Sequence, residues 1–176
     1  MKHLLVVVDI QKDFVDGALG TAEAIAIVEN AAKKIREFEG DIFVTYDTHF
    51  DNYMDTAEGA KLPVPHCIKG TEGWELNAVI ADALADKRYI AVEKLTFGST
   101  KLPELVKETV GEEDFDITLI GLCTDICVVS NALILKASFP EKEVYVDAAC
   151  CAGVTVDTHN AALATMKMCQ INVVGE

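Results

Sequence analysis

The chain has 176 residues, 51% of them hydrophobic and 25% charged, which suits one ordered domain spanning 1–176 and excludes a disordered chain. Lys and Arg number 15 against 29 Asp and Glu, a net charge of −14, so phosphate backbones and anionic membrane surfaces are disfavoured and no nucleic-acid or membrane partner is expected. No stretch approaches the ~20 apolar residues of a membrane helix, and the apolar run Leu4–Val8, cut by Asp9, is too short for a secretory signal. The expected compartment is therefore the cytoplasm, with the six cysteines as thiols.

In chain order, aliphatic runs predict strands at Leu4–Asp9, Asp41–Thr45, Tyr89–Glu93, Ile117–Gly121, Val144–Asp147 and Ile171–Val174. These runs are continuous rather than alternating, as in strands covered on both faces of a parallel sheet. Helical patterns fill the intervals at Ala22–Glu39, Glu75–Ala85, Leu102–Val110, Asp125–Ala137 and Val156–Met168. The alternation predicts a doubly wound α/β fold, a three-layer sandwich with a six-stranded sheet. One segment, Asp47–Gly73, shows no helix pattern and reads as a long loop rich in polar residues. Loops that long inside a compact domain are usually functional or disordered, and here His49, His66 and the Pro63–Val64–Pro65 brace favour function.

In an open parallel sheet, reactive groups collect beyond the carboxyl ends of the strands. Asp9, Asp47, His49, Lys94, Cys123 and Cys127 all fall at such ends. Cys127 follows a strand and opens a helix, with Thr124 or Asp125 as the expected N-cap. There the helix dipole is expected to lower the thiol's pKa, and unpaired amides could hold an oxyanion. Asp9, at the end of an aliphatic strand, is expected to have a raised pKa and to suit proton transfer; otherwise it caps the following turn through Gln11 or Lys12. Lys94 supplies a cation between them. Asp47, His49 and His66 offer a carboxylate and two imidazoles, a set that suits Zn²⁺, Fe²⁺ or Mn²⁺. His159 and the pair Cys150–Cys151 read as structural, the cysteines as a packed turn after the fifth strand. The C-x₃-C spacing of Cys123 and Cys127 matches neither a thioredoxin-like nor a zinc-ribbon site.

Taken together in order, several segments resemble the isochorismatase-like cysteine hydrolases, and among them the nicotinamidases most. They are Val8–Phe14, Asp47–His49, Pro65–Cys67 with Gly70–Gly73, Lys94 with Phe97–Ser99, and Gly121–Val128. The resemblance implies a parallel sheet of order 3-2-1-4-5-6 and a catalytic set of Asp9, Lys94 and Cys127. It also implies an oxyanion hole from the amides of Cys123 and Cys127, with a cis peptide at Leu122–Cys123. Phe14 would pack on the substrate, and Asp47, His49 and His66 would bind a divalent metal, with no organic cofactor. The implied reaction is hydrolysis of a small amide, nicotinamide to nicotinate and ammonia, through a thioester, in a homo-oligomer (dimer or tetramer). Two positions depart from the nicotinamidase pattern: Pro63 stands where an aromatic residue is usual, and Asp55 where some members carry another histidine. Another amide or ureido substrate, isochorismatase-type hydrolysis, and a non-catalytic thiol-based binding or redox module are the alternative readings.

Overall fold

The structure is a computed structural model that describes all residues, Met1–Glu176. Six strands form one sheet: β1 (Lys2–Val8), β2 (Asp41–Asp47), β3 (Tyr89–Lys94), β4 (Phe115–Leu122), β5 (Val144–Ala152) and β6 (Asn172–Val174). All neighbours pair in parallel, as the aliphatic runs predict, in the order β3-β2-β1-β4-β5-β6 that the resemblance implies. The helices are α1 (Lys12–Val15), α2 (Ala22–Glu37), α3 (Ala57–Lys61), α4 (Ala78–Leu84), α5 (Leu102–Val110), α6 (Val129–Ser138) and α7 (Val156–Met168). None is long and apolar enough to cross a membrane.

The two-residue period of a strand explains the three layers. Along β1, Leu4, Val6 and Val8 enter a core with Val106 of α5, Leu135 of α6 and Met166 of α7. The intervening Leu5 and Val7 enter a second core with Ile35 of α2 and Ile80 of α4. Every one of these β1 side chains is fully buried, and burying a Leu or Val side chain stabilises by roughly 1.5–3 kcal/mol. Central position fixes β1 as the strand whose end meets both halves of the sheet, and Asp9 follows it directly.

The structure corrects several boundaries. Strand β5 runs five residues past its predicted end, so Cys150 and Cys151 lie within the strand and not in a turn. The edge strand β3 exposes Tyr89 and Ile90, so only the inner strands are covered on both faces. The segment Asp47–Gly73 is not helix-free: it holds α3 and two 3₁₀ turns, Tyr53–Asp55 and Glu72–Trp74. Thr56 caps α3 by accepting from the Gly59 amide. Short α1 directly after Asp9 was not predicted, and Asn77 starts α4 later than the pattern indicates.

Candidate active site

Asp9 leaves β1 with a positive φ of 47°, a conformation rare outside glycine and tolerated best by Asp and Asn. Its backbone N–H and side chain both turn to β2: Thr45 Oγ1 donates to Asp9 Oδ1 at 2.6 Å. The neighbouring strand end needs Gly121, whose φ is +123° and where any Cβ would run into the Val8 carbonyl. These local requirements bring Asp9 against the ends of β3 and β4. Asp9 does not cap through Gln11. Gln11 is itself fully buried and bridges loops: its Oε1 accepts from the Asp47 amide at 2.8 Å, and its Nε2 donates to the carbonyls of Asp47 (2.9 Å) and Trp74 (2.8 Å).

Lys94 is the last residue of β3 and is 3% exposed. Its Nζ lies 2.6 Å from Asp9 Oδ2, 3.5 Å from Asp47 Oδ1 and 3.5 Å from Cys127 Sγ, and it donates to the Thr96 carbonyl at 3.1 Å. One buried ammonium thus joins the three acidic groups. Burial pushes the Asp9 carboxyl up, against the pull of Lys94. Lys94 itself is raised: burial opposes its charge, and the combined pull of Asp9, Cys127 and Asp47 outweighs that. The expected depression of the Cys127 pKa is not found. Burial of the thiol, and then the adjacent Asp9 charge, hold it well above the ordinary thiol range. A helix-terminal dipole is worth ~0.3–1 kcal/mol at exposed sites, too little to offset full desolvation.

The backbone around Cys127 also differs from the prediction. Residues Thr124–Val128 form a π-helical turn before α6, the N-cap position is Cys123, and no side chain caps it. Thr124 Oγ1 instead pairs with His159 Nδ1 at 2.8 Å, and the Asp125 carboxylate accepts from the Val154 amide. The peptide Leu122–Cys123 is cis, as the resemblance implies. The amides of Ile126 and Val128 both donate to the Cys123 carbonyl. Asn131, fully buried, donates to the Cys127 carbonyl and accepts from the Ser99 amide, tying the turn to the loop after β3. The Cys123 thiol is pushed up to about 12 by burial.

Beside this set, Asp47, His49 and His66 come together with ligand atoms all within 4.8 Å of one another. Asp47 Oδ2 lies 3.1 Å from His49 Nε2 and 3.4 Å from His66 Nε2. His66 Nδ1 bonds the Val64 carbonyl at 2.8 Å, an acceptor only, so Nδ1 carries the hydrogen and a neutral ring turns its Nε2 lone pair inward. Burial works against ionising Asp47, but the adjacent His49 and His66 rings and the charge of Lys94 hold it well below the usual carboxylate range. Glu58, which the sequence reading missed, places Oε1 3.6 Å from both His49 Nε2 and His66 Nε2. Asp55, three residues earlier, is exposed and outside the cluster. Tyr53 packs edge-on to both imidazoles, and the Phe14 ring lies 5.4 Å from His66. Asp13 accepts from the amide of Cys67, fixing the chain immediately after His66. A cleft of 530 Å³ opens beside the cluster, with His49 and Glu58 at its polar side and Leu62, Leu95, Phe97 and Ile126 among its apolar walls.

The fold and this end-of-sheet cluster define an α/β protein with a buried Asp–Lys–Cys set beside a carboxylate–imidazole cluster. The chain belongs to the isochorismatase family: the Isochorismatase domain model matches residues 3–175. It is 27% identical over 187 aligned positions to the nicotinamidase/pyrazinamidase of Mycobacterium tuberculosis, covering 97% of each protein. The solved structure of nicotinamidase/pyrazinamidase PncA from Bacillus subtilis superposes with a TM-score of 0.87 at 25% identity, over 99% of this chain and all of that one. The pyrazinamidase/nicotinamidase of Streptococcus mutans gives 0.83 at 27% identity, over 98% and 99%.

Proposed function

We propose that the protein is a cysteine amidase that hydrolyses nicotinamide to nicotinate and ammonia. The observation that carries this reading is the single Lys94 ammonium held between Asp9 Oδ2 and Cys127 Sγ. An amidase needs a nucleophile, a proton carrier and charge balance in one dry site. Asp9 takes the Cys127 proton as Sγ forms its bond to the amide carbon, and Lys94 stays charged between the two. The amides of Cys123 and Cys127, at the ends of the π-helical turn, receive the negative charge on the carbonyl oxygen. Asp9 then returns the proton to the leaving nitrogen, the C–N bond breaks, and ammonia departs from a thioester. Water, losing its proton to Asp9, attacks the thioester; the carboxylate product leaves and Cys127 recovers its proton. Because burial and the Asp9 charge raise the thiol's pKa, removal of its proton by Asp9 accompanies attack.

Asp47, His49 and His66 fit a divalent cation. Their lone pairs converge, with the Glu58 carboxylate adding to them, and facing acceptors are held together only by protons or a cation. Two imidazoles with a carboxylate suit Zn²⁺ or Fe²⁺ better than Mg²⁺ or Ca²⁺, with Mn²⁺ the third option. When bound, the ion supplies a Lewis-acidic anchor for a substrate lone pair such as a pyridine nitrogen. Phe14, against His66, is placed to pack on the ring so anchored. The test is ammonia release from nicotinamide by wild type and by Cys127→Ala, with mass spectrometry of the quenched enzyme for the acyl adduct. Wild type should release ammonia and show an added nicotinoyl mass. Absence of both, with metal supplied, would retire the reading.

A further inference from the structure

A large cleft opens beside the place that a single-ring carboxamide would take. The cavity of 530 Å³ falls within the ~300–1,000 Å³ typical of sites for drug-sized ligands. It adjoins both halves of the proposed machinery, although Cys127, Lys94 and Phe14 are not in its lining: His49 and Glu58 come from the carboxylate–imidazole cluster, Ile126 precedes Cys127 in the chain, and the Thr96 carbonyl accepts from Lys94 Nζ. Away from those groups the walls include Leu62, Leu95 and Phe97, which are 38%, 65% and 47% exposed, beside Thr56, Ala57 and Lys61. Three large apolar side chains from two separate loops thus stand open to water around one cavity. Singly exposed apolar residues are ordinary; several gathered around one cleft mark a binding surface.

We infer that the preferred substrates are heteroaromatic carboxamides carrying an apolar extension, such as a second fused ring, that seats between Leu62, Leu95 and Phe97. This rests on the amidase reading above and names its substrate class. The polar side takes the heteroatom, the thiol takes the carboxamide, and the added ring covers the walls that a monocyclic amide leaves wet. Nothing about the bond made or broken changes; the selectivity comes from burying apolar surface in the complex.

The experiment compares nicotinamide with quinoline-3-carboxamide, by ammonia release, for the metal-supplied wild type, Leu95→Ala and Phe97→Ala. The quantity read is the ratio of kcat/KM for the bicyclic amide to that for the monocyclic one. A ratio within a single preparation does not depend on how much of a variant is folded. The wild-type ratio should exceed one, and each substitution should lower it about tenfold, the lower end of the ~10–200-fold that a small change in a hydrophobic pocket commands. A wild-type ratio at or below one, or a ratio unmoved by both substitutions, overturns the inference while leaving the nicotinamidase reading intact. Turnover of neither amide overturns both. A ratio that varies with enzyme concentration assigns the apolar walls to a second copy of the chain, and also overturns it.

Discussion

At the scale of single residues, the sign of each electrostatic effect separates the roles proposed for Asp9 and Cys127. The Asp9 charge raises the thiol's pKa, so Asp9→Asn should increase the thiolate fraction at a given pH. Alkylation of Cys127 by iodoacetamide should therefore start at lower pH in Asp9→Asn than in wild type, where it should require pH above the ordinary thiol range. Turnover should move the other way and fall ~10²–10⁴-fold, because the proton carrier is gone. The pair of measurements is the check: alkylation and turnover falling together would make Asp9 merely structural. Cys127→Ala should remove turnover by at least ~10³-fold, as loss of a nucleophile does. Its melting curve should stay close to that of wild type, since the buried thiol is replaced by a small apolar side chain that fits a helical turn.

At the scale of elements, Gln11 shows how the site is held. Its side chain completes three hydrogen bonds that a β-strand would make with its backbone, joining the loop after β1 to the end of β2 and to the turn at Trp74. Gln11→Ala would leave buried amide and carbonyl groups of Asp47 unsatisfied, at ~1–3 kcal/mol for each stranded group. Thermal unfolding should move down by several degrees. Zn²⁺ affinity, read by calorimetry, should fall ~10–100-fold, the usual effect of losing a group that orients a metal ligand. Unaltered affinity would limit Gln11 to fold stability. Elements were legible where the signal is local. The runs at Leu4–Val8 and Asp41–Thr45 are strands because continuous aliphatic side chains fill both faces. The π-helical turn was not legible, because the groups that reshape it come from afar. Thr124 turns to His159, 35 residues on, and Asp125 to Val154, so neither is free to cap the helix as its local spacing suggests. Strand β5 is long because pairing with β4, broken by an irregularity in register after Val146, resumes at Cys151 and Ala152, and the small side chains of Ala148–Ala152 carry little strand signal of their own. Glu58 escaped notice for the same reason. It is one of 29 acidic residues, and only the one-turn helix α3 carries it to the imidazoles.

Across the whole molecule, the sheet order puts Asp9, Asp47, Lys94 and Cys127 at one edge because β1, β2, β3 and β4 are consecutive neighbours there. Their place at the carboxyl ends follows from the βαβ alternation and their adjacency from the sheet order that the resemblance implies, whereas their protonation could not be read from sequence: burial, a property of the complete fold, decides it. The segment between Asp47 and His66 is not itself part of the sheet, and the cation proposed for this cluster would tie it to the end of β2. A ligand that binds only the folded state stabilises it by RT ln(1 + [L]/Kd), ~2.7 kcal/mol at a hundredfold excess over Kd. Zn²⁺ or Fe²⁺ should therefore raise the melting temperature of the chelator-treated protein in a concentration-dependent way. The double variant Asp47→Ala/His49→Ala should show no such rise and should retain less metal on elemental analysis. His66→Ala should raise KM more than it lowers kcat if the ion anchors the substrate ring, since an interaction made equally in ground and transition states affects binding alone. Equal metal content in wild type and the double variant would remove the cation from the site. It would also leave Asp47 as a second carboxylate for Lys94, with the pyridine ring of nicotinamide held only by Phe14 and the cleft walls.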